Sequence, residues 1–425
     1  MKKVLIIGGG VAGSTAAYML KNKNYDVTIL DENSIPGGLA RTCYYAGHPY
    51  EFGPHIWFWP GGAENPINKL IVELTNGELF YIDRKLFSYI HQDKKKYRYP
   101  VHFNEIPDMP EKSKIYDELK AVRDDNWKLK EEKLPTIGQC TFEEYFATAI
   151  GNTLYSKFME NYTHKMWNIP GDTLQTSMVW ADRFNHAYSK DKDGKTGLEG
   201  YDPLKFEDHT LGKGIKFQIY PKKGWNDVWG TMADGCTWVR DSVVSIKDED
   251  KQPYLLMKSG EKHFFSDYKY VINTIDLDNL YGDDQLKYTG RMMIPLLIPD
   301  LGTAFPGGAE SLHFSGAEFQ TRVTEMKVIT KHDSPDTLIL IEVPVLPGAG
   351  SFFPANTIGF ARENNLFAEK AYPQQSKEAM SMHRAYMERS KKIPNLHHTG
   401  RHAEFRYWGM PETVNSAYNL GLELE

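Results

Sequence analysis

Four apolar residues in succession, Val4-Leu5-Ile6-Ile7, follow Lys3 and end in glycine. A short unbroken apolar run predicts a strand buried on both faces, as in a parallel sheet. Gly8-Gly9-Gly10-Val11-Ala12-Gly13 comes next, and Ser14 to Lys21 reads as a helix. A second apolar run, Val27-Thr28-Ile29-Leu30, ends at Asp31. The order is strand, glycine turn, helix, strand, acid.

Beyond this opening the periodicity changes several times. Residues 66–79 read as a helix, and 79–92 and 95–103 as strands, with Lys94-Lys95-Lys96 as a solvated hairpin tip. From about 104 to 185 the pattern is helical. Thr141 and Glu144 have capping-box spacing. Tyr155, Phe158, Met159, Tyr162 and Met166 step by three and four along one helix face. Residues 186–214 are a polar, glycine-containing stretch, expected to be a mobile loop because structureless segments of that length are uncommon in compact domains. Residues 225–234 read as a helix, and 243–246 and 270–274 as strands. Residues 292–298, 309–314, 322–330 and 336–346 alternate like an antiparallel sheet, and 374–392 and 411–423 read as helices.

The layout this predicts is an α/β chain. A discontinuous Rossmann-like dinucleotide domain takes residues 1–77, 225–285 and 390–425. A helical domain is inserted at 104–190. An antiparallel sheet domain is inserted from 78–103, 191–224 and 286–389.

In the opening unit, Gly8 allows the tight turn, Gly10 lets the backbone approach a pyrophosphate, and Gly13 lets helix and strand pack closely. The helix N-terminus offers unpaired N–H groups and a positive dipole end to the phosphates. Asp31 lies where a carboxylate can accept from a ribose hydroxyl. Gly37-Gly38 and Arg41 follow soon after the acid. That second glycine pair resembles the extended fingerprint of FAD-binding proteins, with Arg41 able to pair with phosphate, so FAD is expected rather than NAD.

Composition narrows the function classes. The 425 residues include 50 Lys and Arg against 56 Asp and Glu, a formal charge of −6 that excludes a polybasic nucleic-acid binder. No run of 18 apolar residues exists, so no membrane span is expected, and Val4–Ile7 is too short for a signal-peptide core. Three cysteines (Cys43, Cys140, Cys236) lack metal-site spacing, which points to reduced thiols, a cytoplasmic protein and no bound metal.

Taken together the motifs resemble the UDP-galactopyranose mutase family, flavoenzymes that interconvert ring forms of a nucleotide-linked galactose. Gly53-Pro54-His55-Ile56 resembles its Gly-x-His-Ile element, and Tyr162-Thr163-His164-Lys165-Met166-Trp167 its Tyr-Thr-x-Lys-x-Trp element. Tyr220 to Trp225 resembles its glycine turn after a mobile loop, and Thr321-Arg322 its Tyr-Thr-Arg strand. Gly400-Arg401-His402-Ala403-Glu404-Phe405-Arg406-Tyr407 resembles its C-terminal flavin motif.

The resemblance implies the following roles. His55 tunes the flavin, and Arg401 and Met410 contact it. Tyr162, with Phe158 one turn earlier, stacks on the nucleobase, while Trp167 and Tyr407 line the sugar site. Arg183, Arg322 and Arg291, in that order, are the candidates for stabilising diphosphate charge. Four departures stand on the sugar–diphosphate side. Gln320 replaces a tyrosine, and Phe353 replaces the second tyrosine of a Tyr-Tyr-Pro element. Thr289-Gly290-Arg291 stands where an arginine directly follows the family's tyrosine, and Gly409 replaces an aspartate. These departures suggest a retained chemistry and a changed sugar or nucleotide, with UDP-galactose still the first guess.

The implied mechanism is attack on the anomeric carbon by N5 of reduced flavin, with NADH or NADPH as reductant, in a route to cell-surface glycan. The implied partners are a nucleotide sugar and, as an assembly, a homodimer. A rival reading is an FAD-dependent amine oxidase or desaturase on the same scaffold, and another is a flavin-binding protein without catalysis.

Overall fold

The computed structural model describes residues 1–58, 64–136, 139–174, 204, 218–249, 252–345 and 355–425. Its first layer is a five-stranded sheet in which every pairing is parallel. Lys3–Ile7 is central, between Asp26–Asp31 and Tyr270–Asn273, with Thr237–Arg240 and Leu396–His398 at the edges. Alternation along the central strand divides its neighbours. Val4 and Ile6 pack with Ala12, Ala16 and Ala417 of the helices Val11–Lys21 and Met410–Glu423. Leu5 and Ile7 pack with Ile246, Leu255 and Met257 of an antiparallel three-stranded layer, Val243–Glu249, Gln252–Met257 and Lys262–Phe264. The strand is therefore covered on both sides, which is why its apolar run is unbroken. The chain enters this sheet from three separated stretches.

The second layer is a seven-stranded sheet in the order Phe367–Pro373, Tyr288–Ile298, Thr337–Val345, Arg322–Glu325, Ser311–Phe314, Leu86–Ile90, Lys95–Arg98. All neighbours are antiparallel except Ser311–Phe314 with Leu86–Ile90, which run parallel. The exception arises because the hairpin of 86–98 comes from a distant part of the chain and joins an existing edge.

Three local expectations change. Leu79–Ile82 does not join the large sheet but pairs with Gln218–Pro221, which also pairs with Trp57–Phe58. The strand expected over 322–330 stops at Glu325 and becomes a short helix, Met326–Thr330. There the Glu325 carboxylate accepts the N–H groups of Ala304 and Phe305 and the Thr337 hydroxyl, so the chain turns around a buried acid. Lys95 and Lys96 begin a strand rather than a turn, and the bend is at Lys94, with φ of 48°.

The helical insertion contains Lys112–Lys120, Phe142–Ile150, Asn152–Tyr155 and Asn161–Trp167. Its capping box is present: Thr141 Oγ1 accepts the Glu144 N–H at 3.2 Å, and Glu144 Oε2 accepts the Thr141 N–H at 2.7 Å. The face read as one continuous helix contains a π turn at Ser156–Glu160. Such turns re-aim the side chains that follow. Among the described residues no helix is long and apolar enough to cross a membrane, and no group of His, Cys, Asp or Glu could hold a metal ion.

Candidate active site

The two glycine motifs meet in space. Gly10 bridges Gly37 in parallel, and the Gly37 N–H donates to Gly9 O at 2.9 Å. A Cβ added to Gly38 would lie 3.0 Å from Gly10 Cα, and one on Gly13 would fall 1.8 Å from Gly8 O. Gly8 has φ of 94°, so the turn itself needs glycine. The helix that follows carries no acid in its first turn and no side-chain cap, which leaves its N–H groups for an anion. Asp31 Oδ2 accepts the Gly9 N–H at 2.6 Å, which places the carboxylate beside the glycine turn. Arg41 donates Nη1 to Gly38 O at 3.0 Å, so the guanidinium lies against the second pair. The C-terminal motif closes the same region: a Cβ on Gly400 would meet Ala12 Cβ at 2.6 Å. Met410 starts the last helix with its side chain buried in the core. Together these backbones form a cradle that side chains would fill, and it fits a dinucleotide.

His55 lies within electrostatic reach of Arg401 in the C-terminal motif and of Arg322 and Glu342 in the large sheet. Its carbonyl accepts Trp225 Nε1–H at 2.6 Å, and its N–H donates to Glu51 Oε2 at 3.1 Å. Burial, then the guanidinium charges of Arg401 and Arg322, pushes the imidazole down to about 3, so the ring is neutral at physiological pH. Gly53, two residues earlier, lies against Arg322; a Cβ there would be 2.6 Å from Nη2.

The arginines fall into distinct roles. Glu342, fully desolvated on the strand Thr337–Val345, takes Arg322 Nε at 2.8 Å together with its Nη2, and takes Arg291 Nε at 3.1 Å. Arg291 spends its remaining donors on Thr289 Oγ1, Gly290 O, and the carbonyl and sulfur of Met166. It is 1% exposed and has no donor left for a ligand. Among the described residues Arg322 Nη1 has no acceptor, so Arg322 is the one of the pair able to reach an anion. Two arginines on one glutamate leave a net positive charge. Arg401 donates Nε to Trp408 O at 2.6 Å and Nη1 to Ala371 O at 3.1 Å, which holds the C-terminal motif to the sheet edge.

Tyr372, a residue that sequence reasoning passed over, joins these groups. Its ring lies 4.7 Å from the Arg291 guanidinium and 5.1 Å from that of Arg401. Trp167 and Tyr407 complete the cluster, with centroids 4.6 Å apart and nearly perpendicular, and Tyr372 lies 6.1 Å from Trp167. The Tyr372-Pro373 dipeptide at a strand end was the available signal. Glu342 and Glu51 were also missed. Glu342 is a lone acid inside an apolar run, which is a detectable signature of a buried charge with a partner, whereas Glu51 sits in a glycine- and proline-punctuated loop that carries no such signal.

Tyr162 lies deeper than a surface stacking platform. Its hydroxyl is 3.0 Å from His313 Nδ1, and Tyr99 stacks on His313 at 3.9 Å and 8°. Phe158 meets Tyr97 edge-on at 5.7 Å, so the two helix residues read as one pocket do reach adjoining aromatics. Lys165 donates Nζ to the carbonyls of Phe314 at 2.6 Å, Glu318 at 3.0 Å and Gln320 at 3.0 Å, latching the turn before Thr321-Arg322. Burial lowers its ammonium to about 8. Polar atoms without partners concentrate here: His313 Nε2, both Glu318 carboxylate oxygens and Gln320 Oε1. Arg183, Phe353 and most of the stretch 186–214 lie outside the described residues.

Residues 6–74 match the NAD(P)-binding Rossmann-like domain, and residues 214–407 match the UDP-galactopyranose mutase family. The chain is 22% identical to dTDP-fucopyranose mutase of Escherichia coli, over 98% of this chain and 97% of that protein. It is also 22% identical to a probable UDP-galactopyranose mutase of Klebsiella pneumoniae, over 98% and 93% respectively. The crystal structure of a reduced UDP-galactopyranose mutase shares the fold, with a TM-score of 0.72 at 19% identity and coverage of 100% and 96%. The motifs, the architecture and these full-length matches agree: residues 214–407 carry a UDP-galactopyranose mutase family domain, and the chain is a mutase-type enzyme.

Proposed function

We propose that the protein interconverts pyranose and furanose forms of a nucleotide-linked sugar with FAD as cofactor. The observation that supports this reading is that His55 lies within electrostatic reach of Arg401 in the C-terminal glycine motif and of Arg322 and Glu342 in the large sheet. Arg401 and Arg291 both lie against Tyr372, whose ring neighbours Trp167 and Tyr407. Bound FAD, in its reduced form, would supply the nucleophile toward the anomeric carbon. The chain supplies the rest. Gly8 to Gly13, Gly37-Gly38, Asp31, Arg41, Gly400 and Arg401 hold the dinucleotide. Arg322 stabilises the departing diphosphate through the donors Glu342 leaves free, and Arg183 adds to it. Arg291 is a positioning residue that ties the sheet to Met166, one residue before Trp167. Trp167, Tyr372 and Tyr407 wall the sugar and exclude water. Phe158 and Tyr162 border the nucleobase, with His313, Glu318 and Gln320 offering polar atoms to it. UDP-galactose is the first substrate to try. The dTDP-fucopyranose relative and the departures at Gln320 and Phe353 make dTDP-deoxy sugars the next.

The test is conversion of UDP-galactose and dTDP-linked sugars by the FAD-loaded protein, with and without dithionite or NAD(P)H. Furanose product only under reduction is expected. Full conversion with the flavin oxidised would sink the proposal, and peroxide release from an amine would favour an oxidase. Lys165→Met should weaken UDP binding about tenfold, or ~1.4 kcal/mol, by freeing the turn that carries Gln320. Unchanged affinity in calorimetry would show that the latch is irrelevant to nucleotide binding.

A further inference from the structure

The buried acid beside His55 is used by no step above. Glu51 is 0% exposed, yet among the described residues no lysine or arginine donates to it. Its Oε1 accepts the Tyr220 hydroxyl at 2.7 Å and the Thr42 hydroxyl at 3.2 Å. Its Oε2 accepts the His55 N–H at 3.1 Å and lies 3.6 Å from His55 Nδ1. That nitrogen is buried with no hydrogen-bond partner among the described residues. A carboxyl whose Oε1 already receives two hydroxyl hydrogens has its own hydrogen on Oε2, the atom facing Nδ1. At 3.6 Å the contact is not yet a hydrogen bond; an approach of roughly 0.5 Å makes it one.

We infer that Glu51 is a positioning residue that carries a proton at neutral pH and donates it to His55 Nδ1, holding His55 as the neutral tautomer with its hydrogen on Nε2. The electrostatics agree on where the single proton sits. Burial raises the Glu51 carboxyl to about 8, against the opposing hydrogen bonds from Tyr220, His55 N–H and Thr42. On the His55 side, burial and then Arg401 and Arg322 disfavour imidazolium, with Glu342 opposing them. Cys43 and Tyr220, the titratable groups facing Glu51, are neutral, their ionisation raised by burial. The pair is thus a neutral acid on a neutral base rather than an ion pair.

The arrangement has a switch built in. Above about pH 8 Glu51 becomes a carboxylate and needs a donor, so the ring hydrogen moves to Nδ1 and Nε2 becomes an acceptor. The reversal changes what His55 presents to the flavin site, so its kinetic consequence rests on the proposed function. The tautomer itself does not.

The test uses the full chain loaded with FAD and carrying ¹⁵N-histidine, with His55 assigned by its loss in His55→Gln. Long-range ¹H–¹⁵N NMR at pH 7 should show Nε2 protonated and Nδ1 bare, with a crossover near pH 8. Glu51→Gln places an amide donor against Nδ1 and should keep the tautomer while abolishing the crossover. Tyr220→Phe removes a bond that favours the ionised carboxyl, so the crossover should move to higher pH. A proton on Nδ1 at pH 7, or a crossover that persists in Glu51→Gln, overturns the inference. Correct tautomers in a protein with no reduction-dependent mutase activity would uphold it and reject the proposed function instead.

Discussion

Glu342→Ala should destabilise the protein by about 3–5 kcal/mol, the usual cost of removing one partner from a desolvated charge pair. The carboxylate is 3% exposed and balances two guanidinium groups at once. Its ionisation stays below the ordinary carboxylate range although burial opposes this, because Arg322 and then Arg291 hold the charge. Removing it strands two cations in the sheet, with Arg291 fully buried. Urea denaturation at pH 7 gives the comparison. Adding Arg291→Met to Glu342→Ala should recover part of the loss, since one stranded charge is gone while the volume is kept. A loss below 1 kcal/mol, or no recovery in the double variant, would mean that water or a rearranged neighbour already compensates these arginines.

Acidification from pH 7 to pH 5 should cost several kcal/mol of stability. Burial, the largest cause in each case, lowers four imidazoles: His55 to about 3, His402 to about 3, His398 to about 4, and His313 well below its ordinary value. The unfolded chain takes up these protons once the pH falls below about 6.5, whereas His55, His402 and His398 in the folded chain do not until near 3–4, so stability is lost as the pH falls through that window. His55, His402 and His398 each contribute about 2 kcal/mol by pH 5, and His313 adds in the same direction. Glu51 acts in the opposite sense. Its raised ionisation makes it a stabilising group at low pH, and that contribution declines from the ordinary carboxylate range up to about 8. It offsets roughly one histidine between pH 6.5 and 5 and leaves the net sign unchanged. Urea midpoints at pH 7, 6 and 5 give the measurement. A midpoint that stays constant or rises on acidification would show that the imidazoles are hydrated.

The opening βαβ unit was legible because each of its parts is local. A buried strand, a turn that only glycine can make, and a helix with an uncapped N-terminus are contiguous and have sharp residue requirements. The capping box at Thr141 was legible for the same reason. The large sheet was recognised as strands but not as a topology. Alternation along 86–90 or 311–314 says which face is buried and nothing about which strand lies alongside, so the single parallel pairing could not be foreseen. Arg291 and Arg322 could not be told apart from spacing. Both are arginines in apolar strands, and only the count of acceptors around each separates a tied guanidinium from one with donors to spare.

From the sequence alone came the dinucleotide cradle, the αβ class, the absence of polybasic character and the resemblance to the UDP-galactopyranose mutases, because contiguous residues carry them. The tertiary structure decided that Tyr372 stands among Arg291, Arg401 and Trp167, that Glu342 serves two arginines, and that Glu51 is buried against His55. Desolvation explains the division. The charge state of an acid and the availability of a guanidinium depend on what displaces water around them, and those neighbours come from strands far apart in the chain.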